Sequence, residues 1–214
     1  MSILKEGYPF IFPPLVVSLA LLIVPCLSGI RNHSALFFLL EGIGVLLLIF
    51  SCFCIFFFRD PKIRVTTRVN IVLSPCNGTV MEIEETESEK IVRVFLSIFS
   101  VHLQRSPVDG TVTGMLHKDG KFLAAWNPQA HSLNEQNIFT IQSADGTYTV
   151  RQIAGFLARR CVSWVKTGDS LKAGDKIGMI KFSSQVDLHV PKTISIKVKA
   201  GDKVRAGITV MGEK

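Results

Sequence analysis

Two adjacent hydroxyls, Ser183 and Ser184, lie inside the stretch Met179-Ile-Lys-Phe-Ser-Ser-Gln-Val-Asp-Leu-His-Val-Pro191. A serine hydroxyl held against the carbonyl of the residue before it can attack that carbonyl. The amide becomes an ester, β-elimination breaks the chain, and the new N-terminus decays to a pyruvoyl group. Attack on a planar amide needs strain and a nearby base. Without these, the same two serines form a polar bend between strands.

A base is available in sequence. His102 follows an apolar segment and precedes a turn. A neutral imidazole near pH 7 can take a serine proton and later move others; the alternative is a structural histidine. Arg159 and Arg160 form a cationic pair suited to a phosphate or a carboxylate, or else an exposed strand edge. His117, His131 and His189 show no metal-ligand spacing with one another or with a cysteine, so no metal is expected. No glycine-rich phosphate loop follows a predicted strand and opens a helix.

The elements that must position these residues are mostly short strands. Ile180 and Phe182 before the serines, and Val186, Leu188 and Val190 after them, alternate with a period of two. That predicts two strands, each with one face in a core. Further strands are predicted at Ile71–Leu73, Val80–Ile83, Ile91–Ile98, Thr111–Leu116, Ile138–Gln142 and Thr147–Ile153. Ser74-Pro-Cys-Asn-Gly78 is echoed by Ser106-Pro-Val-Asp-Gly110, which reads either as two equivalent turns or as common turn chemistry. Gly168-Asp-Ser-Leu-Lys-Ala-Gly174 and Gly201-Asp-Lys-Val-Arg-Ala-Gly207 share a second rhythm. Paired turns of this kind resemble those of barrel-sandwich domains such as lipoyl carriers. Residues 119–137 are polar and irregular, a candidate mobile loop at the site. No long helical period follows residue 60, so the reading is a mainly β, barrel-sandwich-like domain over 61–214.

Residues 1–60 read differently. Tyr8 to Ile30 has no charge, and Ala35 to Phe58 is interrupted only by Glu41. Each run is long enough to span a bilayer, and together they predict a transmembrane helical hairpin. Pro9, Pro13 and Pro14 place the expected start of the first helix after Pro14. Arg59, Lys62, Arg64 and Arg68 follow the second run directly, which puts the β domain in the cytoplasm. Before residue 59 only Lys5, Glu6, Arg31 and Glu41 are charged, so the remainder carries the whole net charge of +7. A basic domain tethered to a bilayer suits anionic headgroups. Nucleic acid is not expected, for there is no recognition helix, finger or aromatic-studded basic stripe. Five scattered cysteines make no disulfide framework, and a reducing compartment is the simplest inference.

Phe182-Ser-Ser-Gln-Val-Asp187 resembles the Phe-Gly-Ser-Arg-Val-Asp processing site of the short, membrane-anchored, pyruvoyl-dependent phosphatidylserine decarboxylases. Ser183 stands where that motif has glycine, and Gln185 where it has arginine. Phe57-Phe-Arg-Asp-Pro61 resembles the junction that follows their membrane segment. Ser97-Ile-Phe-Ser-Val-His102 with Arg105-Ser-Pro107 is similar to their histidine-bearing strand and turn. Gly120-Lys-Phe122, Asn134-Glu-Gln-Asn137 and Gln152-Ile-Ala-Gly-Phe-Leu-Ala-Arg-Arg160 fit the family pattern in order. The resemblance therefore covers almost the whole chain.

It implies a zymogen that cuts itself by serinolysis between Ser183 and Ser184 and keeps both fragments as a heterodimer. Ser184 would become the pyruvoyl cofactor, whose carbonyl condenses with the substrate amine and draws electrons as carbon dioxide leaves. Phosphatidylserine would become phosphatidylethanolamine at the inner membrane. His102 would be the general acid/base, and Arg159 and Arg160 would bind substrate. The family's Ser-Pro-Ala-Asp-Gly aspartate, which orients the histidine, corresponds to Asn77 here. An amide can bond an imidazole but cannot stabilise an imidazolium by charge. Asp109, in the second turn, is a candidate to compensate. Two other readings stand beside this one: a related decarboxylase acting on an ether-type serine phospholipid, and an uncleaved, non-catalytic membrane-tethered barrel-sandwich module. A homo-oligomer is left open.

Overall fold

The computed structural model of the protein describes residues 2–27, 35–123, 127, 129–155, 160–182 and 184–214. The chain divides into two compact units, residues 1–62 and 63–214.

In the first unit, β1 (Ser2–Ile3) leads through a short 3₁₀ turn into α1 (Tyr8–Leu27). Then follow α2 (Ala35–Phe57) and β2 (Arg59–Asp60), which pairs antiparallel with β1. Both helices are long and apolar enough to cross a bilayer. They are apolar on every side, with Val16, Val24, Leu36 and Leu46 all exposed. Close approach is possible because Gly44 has no side chain. A Cβ there would lie 3.0 Å from Leu22, and the Gly44 carbonyl accepts the Ser18 hydroxyl at 2.7 Å. The first helix starts at Tyr8, earlier than expected, and runs through Pro13 and Pro14. Pro9 lies in the first turn, where no intrahelical donor is needed. Pro13, Pro14 and Pro25 cost one backbone bond each, which an otherwise apolar helix of this length tolerates. At the far end Arg59 folds back over the Phe56 ring, 3.8 Å from its centroid, and donates to the Phe56 carbonyl.

The second unit is built of strands. In chain order these are β3 (Ile71–Leu73), β4 (Gly78–Glu85), β5 (Glu89–Leu96), β6 (Leu103–Arg105) and β7 (Gly110–Lys118). A single helical turn, α3 (Ala130–Leu133), precedes β8 (Gln136–Ser143), β9 (Gly146–Ala154), β10 (Arg160–Ser163) and β11 (Ser170–Leu171). The chain ends with β12 (Lys176–Lys181), β13 (Ser184–Pro191), β14 (Ser195–Ile196), β15 (Lys203–Val204) and β16 (Val210–Glu213). One antiparallel sheet has the order β11-β7-β8-β9-β13-β5-β4-β15. Two small sheets have the orders β10-β12-β6 and β14-β16-β3. The core lies between them: Val92, Val94, Val150, Val186 and Leu188 of the large sheet share one cluster with Val72, Ile177, Ile180 and Met211 of the small ones.

The two echoes in the sequence are one internal repeat. Asp169 and Asp202 each accept the backbone N–H three residues before them, at 2.9 Å. Gly168 and Gly201 have φ of +97° and +92° at matching positions, where a side chain would be strained. Their N–H groups bond the Val112 and Val80 carbonyls, each at 2.8 Å. Leu171 and Val204 then pair with Gly110 and Gly78, the last residues of the two Ser-Pro-x-x-Gly turns. The equivalent-turn reading of the echo is therefore the one the fold adopts.

Candidate active site

The two strands predicted around the serine pair are β12 and β13, but they lie in different sheets. The alternation Ile180–Phe182 does not continue inward. Ile180 is in the core, whereas Phe182 is half-buried and has φ of +62°. A bulky aromatic in the left-handed region is strained by about 1–2 kcal/mol. Ser183 lies outside the described residues. The backbone of Ser184 opens β13, paired with Leu96 of β5 on one side and Ala154 of β9 on the other.

His102 is buried, just before β6. Its carbonyl accepts the Ile180 N–H at 3.2 Å, so it lies across the ladder from the residue two before Phe182. Its Nδ1 is 3.0 Å from the Ser100 carbonyl. A carbonyl only accepts, so Nδ1 carries the proton and the neutral ring has its lone pair on Nε2.

Asn77 bonds the facing repeat turn. Its Oδ1 accepts the Ala206 N–H at 3.0 Å. Asp109 makes the equivalent contact in the repeat, accepting the Ala173 N–H at 2.7 Å and pairing with Lys172 at 3.0 Å. The Ala173 bond is the main reason the Asp109 carboxyl titrates below its usual range. Both side chains cap the incoming repeat turn, a task that requires an acceptor oxygen and no charge.

Arg160 opens β10 and is exposed; it pairs with Lys181, the last residue of β12. Two cations across one ladder repel unless an anion lies near. Arg159 lies outside the described residues. Of the 119–137 segment, residues 124–126 and 128 lie outside the described residues, and Asn134 bonds its base. Asn134, fully buried, accepts the Leu123 N–H and donates to the Leu123 and Ala154 carbonyls, at 2.8, 2.8 and 2.6 Å. Since Ala154 pairs with Ser184, Asn134 ties this segment to the level of the serine.

A chain of side chains that sequence reasoning did not assign runs along the core-side face of β7, β8 and β9. His117 Nδ1 donates to Asn137 Oδ1 at 2.8 Å, and Asn137 Nδ2 donates to Gln152 Oε1 at 3.0 Å. Gln152 Nε2 donates to Gln104 Oε1 at 2.8 Å. His117 is half exposed and 3.3 Å from Asp119, and its bond to Asn137 leads the effects that raise its pKa. The other three are buried. Their only signal in sequence is amide residues within strands that otherwise face a core. On the opposite face of β13, Gln185, Asp187 and His189 are also buried. Gln185 Nε2 donates to Asp187 Oδ1 at 2.6 Å, and Arg93 Nε stands 3.8 Å from Asp187.

A cleft of about 620 Å³ lies in this unit, lined among the described residues by 65–71 with Asp109, Lys172 and Lys214; His102 is not among them. Among the described residues no group of three or more His, Cys, Asp or Glu is placed to hold a metal.

The family model described as phosphatidylserine decarboxylase matches residues 50–212. The chain is 39% identical over 178 residues to a phosphatidylserine decarboxylase proenzyme of Carboxydothermus hydrogenoformans, covering 79% of this chain and 84% of that one. It is 37% identical to a proenzyme of the same name from Wolbachia sp. subsp. Brugia malayi, over 98% of this chain and 90% of the relative. A Burkholderia ambifaria proenzyme is 38% identical, over 99% and 95%.

Proposed function

The chain belongs to the phosphatidylserine decarboxylase family and is a carboxy-lyase; we propose that it is a membrane-anchored zymogen that makes its own pyruvoyl group by cutting the Ser183–Ser184 bond. The observation that carries this reading is the left-handed Phe182 at the switch between two sheets, with His102 laddered to Ile180 beside it. Strain and a base, the two requirements for attack on an amide, thus meet within a few residues of the serine pair.

In the proposed reaction the Ser184 hydroxyl adds to the Ser183 carbonyl carbon, the C–N bond breaks and an ester forms. Loss of the Ser184 α-proton expels the Ser183 carboxylate, and water then displaces ammonia to leave the pyruvoyl group. His102, with its lone pair on Nε2, is the base for the hydroxyl and later a proton carrier. When present, the pyruvoyl group supplies an electron sink for loss of carbon dioxide from the substrate's amino acid headgroup. Arg160, beside Lys181, and Arg159 attract the anionic headgroup. Asn77 holds the turn at Ala206 and so supports the site.

The fold suits a protein that must survive its own cleavage. Residues 184–214 would contribute β13 between β5 and β9, β15 against β4 and β16 against β3. The two fragments then separate only by unfolding. The two apolar helices and the basic flank at 59–68 support a bilayer anchor with residues 61–214 on the cytoplasmic side. The test is release of carbon dioxide from phosphatidylserine labelled in its carboxyl group. The wild-type chain releases label, Ser184→Ala releases none, and His102→Ala is slowed about 10²–10⁴-fold. Full release by Ser184→Ala would exclude the chain-derived cofactor.

A further inference from the structure

Gln104 ends the amide chain with a donor that meets no partner among the described residues. It lies two residues beyond His102 and faces Gly178 across the ladder. It is fully buried, and its Nε2 has no partner among the described residues. The direction of the chain is not arbitrary. The Val162 carbonyl lies 3.4 Å from Gln152 Nε2, which fixes that amide with its nitrogen toward Val162 and Gln104. Gln104 must then present its oxygen to Gln152 and its amino group to the interior.

A buried donor left without a partner destabilises the protein, a cost that an acceptor arriving in the working protein would recover. The aligned dipoles of Asn137, Gln152 and Gln104 all place their positive ends in that direction, which favours an anionic acceptor. Gln152 pairs with Val186, two residues along β13 from Ser184, so the amide chain that Gln104 ends reaches the strand that the serine opens.

On the reading given above, we infer that Gln104 Nε2 binds the carboxylate of the substrate's serine headgroup. The lipid phosphate is tied to the bilayer surface through glycerol, whereas the carboxylate is at the far tip and reaches deepest. Holding one carboxylate oxygen sets the rotation about the bond that will break. Once carbon dioxide has left, the product offers this donor no acceptor, and release of the product follows.

The test measures binding and does not need the cofactor. Short-chain dihexanoyl phosphatidylserine and dihexanoyl phosphatidylethanolamine are titrated into the full-length Ser184→Ala chain in detergent. The parent is expected to prefer the serine lipid by about tenfold or more, the size of one hydrogen bond to a charge. Gln104→Leu and the near-isosteric Gln104→Glu, which still accepts from Gln152, are expected to abolish that preference with ethanolamine-lipid affinity unchanged. Should Gln104→Leu not fold, Gln104→Glu carries the test. No preference in the parent, a preference that survives either folded variant, or equal weakening of both lipids would overturn the assignment. Failure of the wild-type chain to cut itself would remove the serinolysis reading and leave this affinity ratio as it stands.

Discussion

Asn77 and Asp109 perform the same structural task in the two halves of the β unit. Each uses Oδ1 to accept the N–H of the alanine in the facing repeat turn, Ala206 at 3.0 Å and Ala173 at 2.7 Å. For that capping task an amide at 77 is chemically sufficient. Asn77→Asp is expected to leave the self-cleavage rate within about threefold. Asn77→Ala loses about 1 kcal/mol, or about 2–4 °C in a thermal melt of a chain this size. A gain in cleavage of a hundredfold or more in Asn77→Asp would show that a charge at 77 acts on the imidazole after all.

Phe182 is the strained residue beside the proposed bond. Asparagine tolerates the left-handed region better than phenylalanine does. In Phe182→Asn the uncut chain is expected to be less strained, and self-cleavage to slow by about tenfold, the equivalent of roughly 1.4 kcal/mol. The rate of appearance of the small fragment on a gel decides it. An unchanged or faster rate would mean that strain at 182 plays no part.

Leu188 is fully buried at the centre of β13, and truncating it tests whether that strand holds the fragments together. Leu188→Ala should cost about 2–5 kcal/mol. With an N-terminal tag, the wild-type cut protein should retain residues 184–214 on the resin until denaturant unfolds it. The variant should shed them at a lower denaturant concentration. Fragments that separate freely in native buffer would contradict the shared sheet.

Asp187 predicts a pH dependence of stability. Burial is the main cause that raises its carboxyl pKa, and the bond from Gln185 and the Arg93, His189 and Arg151 charges only partly offset it. A carboxyl raised on folding binds a proton more tightly in the native state than in the unfolded one. Stability therefore rises as pH falls from above the folded pKa toward the unfolded value near 3.8. Comparing melts of wild type and Asp187→Asn across that range, the wild-type midpoint should gain on the variant as pH drops. A wild-type midpoint that loses ground instead would mean the carboxylate is net stabilised where it stands.

Parts of this fold were legible because their signals are local. Apolar runs revealed α1 and α2, and the period of two around Ser183 and Ser184 revealed β12 and β13. The repeated Gly-Asp turns were visible because each makes its bonds within a few residues. What remained hidden depends on contacts between distant parts of the chain. Asn77 and Ala206 are 129 residues apart, so the turn's chemistry could not disclose what Asn77 would hold. The change of sheet at Phe182 was masked because alternation continues on both sides of it. Gln104, Gln152 and Asn137 come from three strands, and a strand glutamine in isolation resembles an ordinary solvent-facing residue. The start of α1 at Tyr8 was missed because Pro13 and Pro14 read as helix breakers under rules drawn from helices in water.

The central claim is that this chain cuts itself once, and an intact mass spectrum of the detergent-purified protein tests it most directly. Two polypeptides are expected, residues 1–183 and a fragment beginning at 184 whose N-terminus is a pyruvoyl group and resists Edman degradation. A single species at the full mass, unchanged over days at neutral pH, would contradict the account: it would leave the β fold and the family membership intact but remove the chain-derived cofactor on which the proposed chemistry depends.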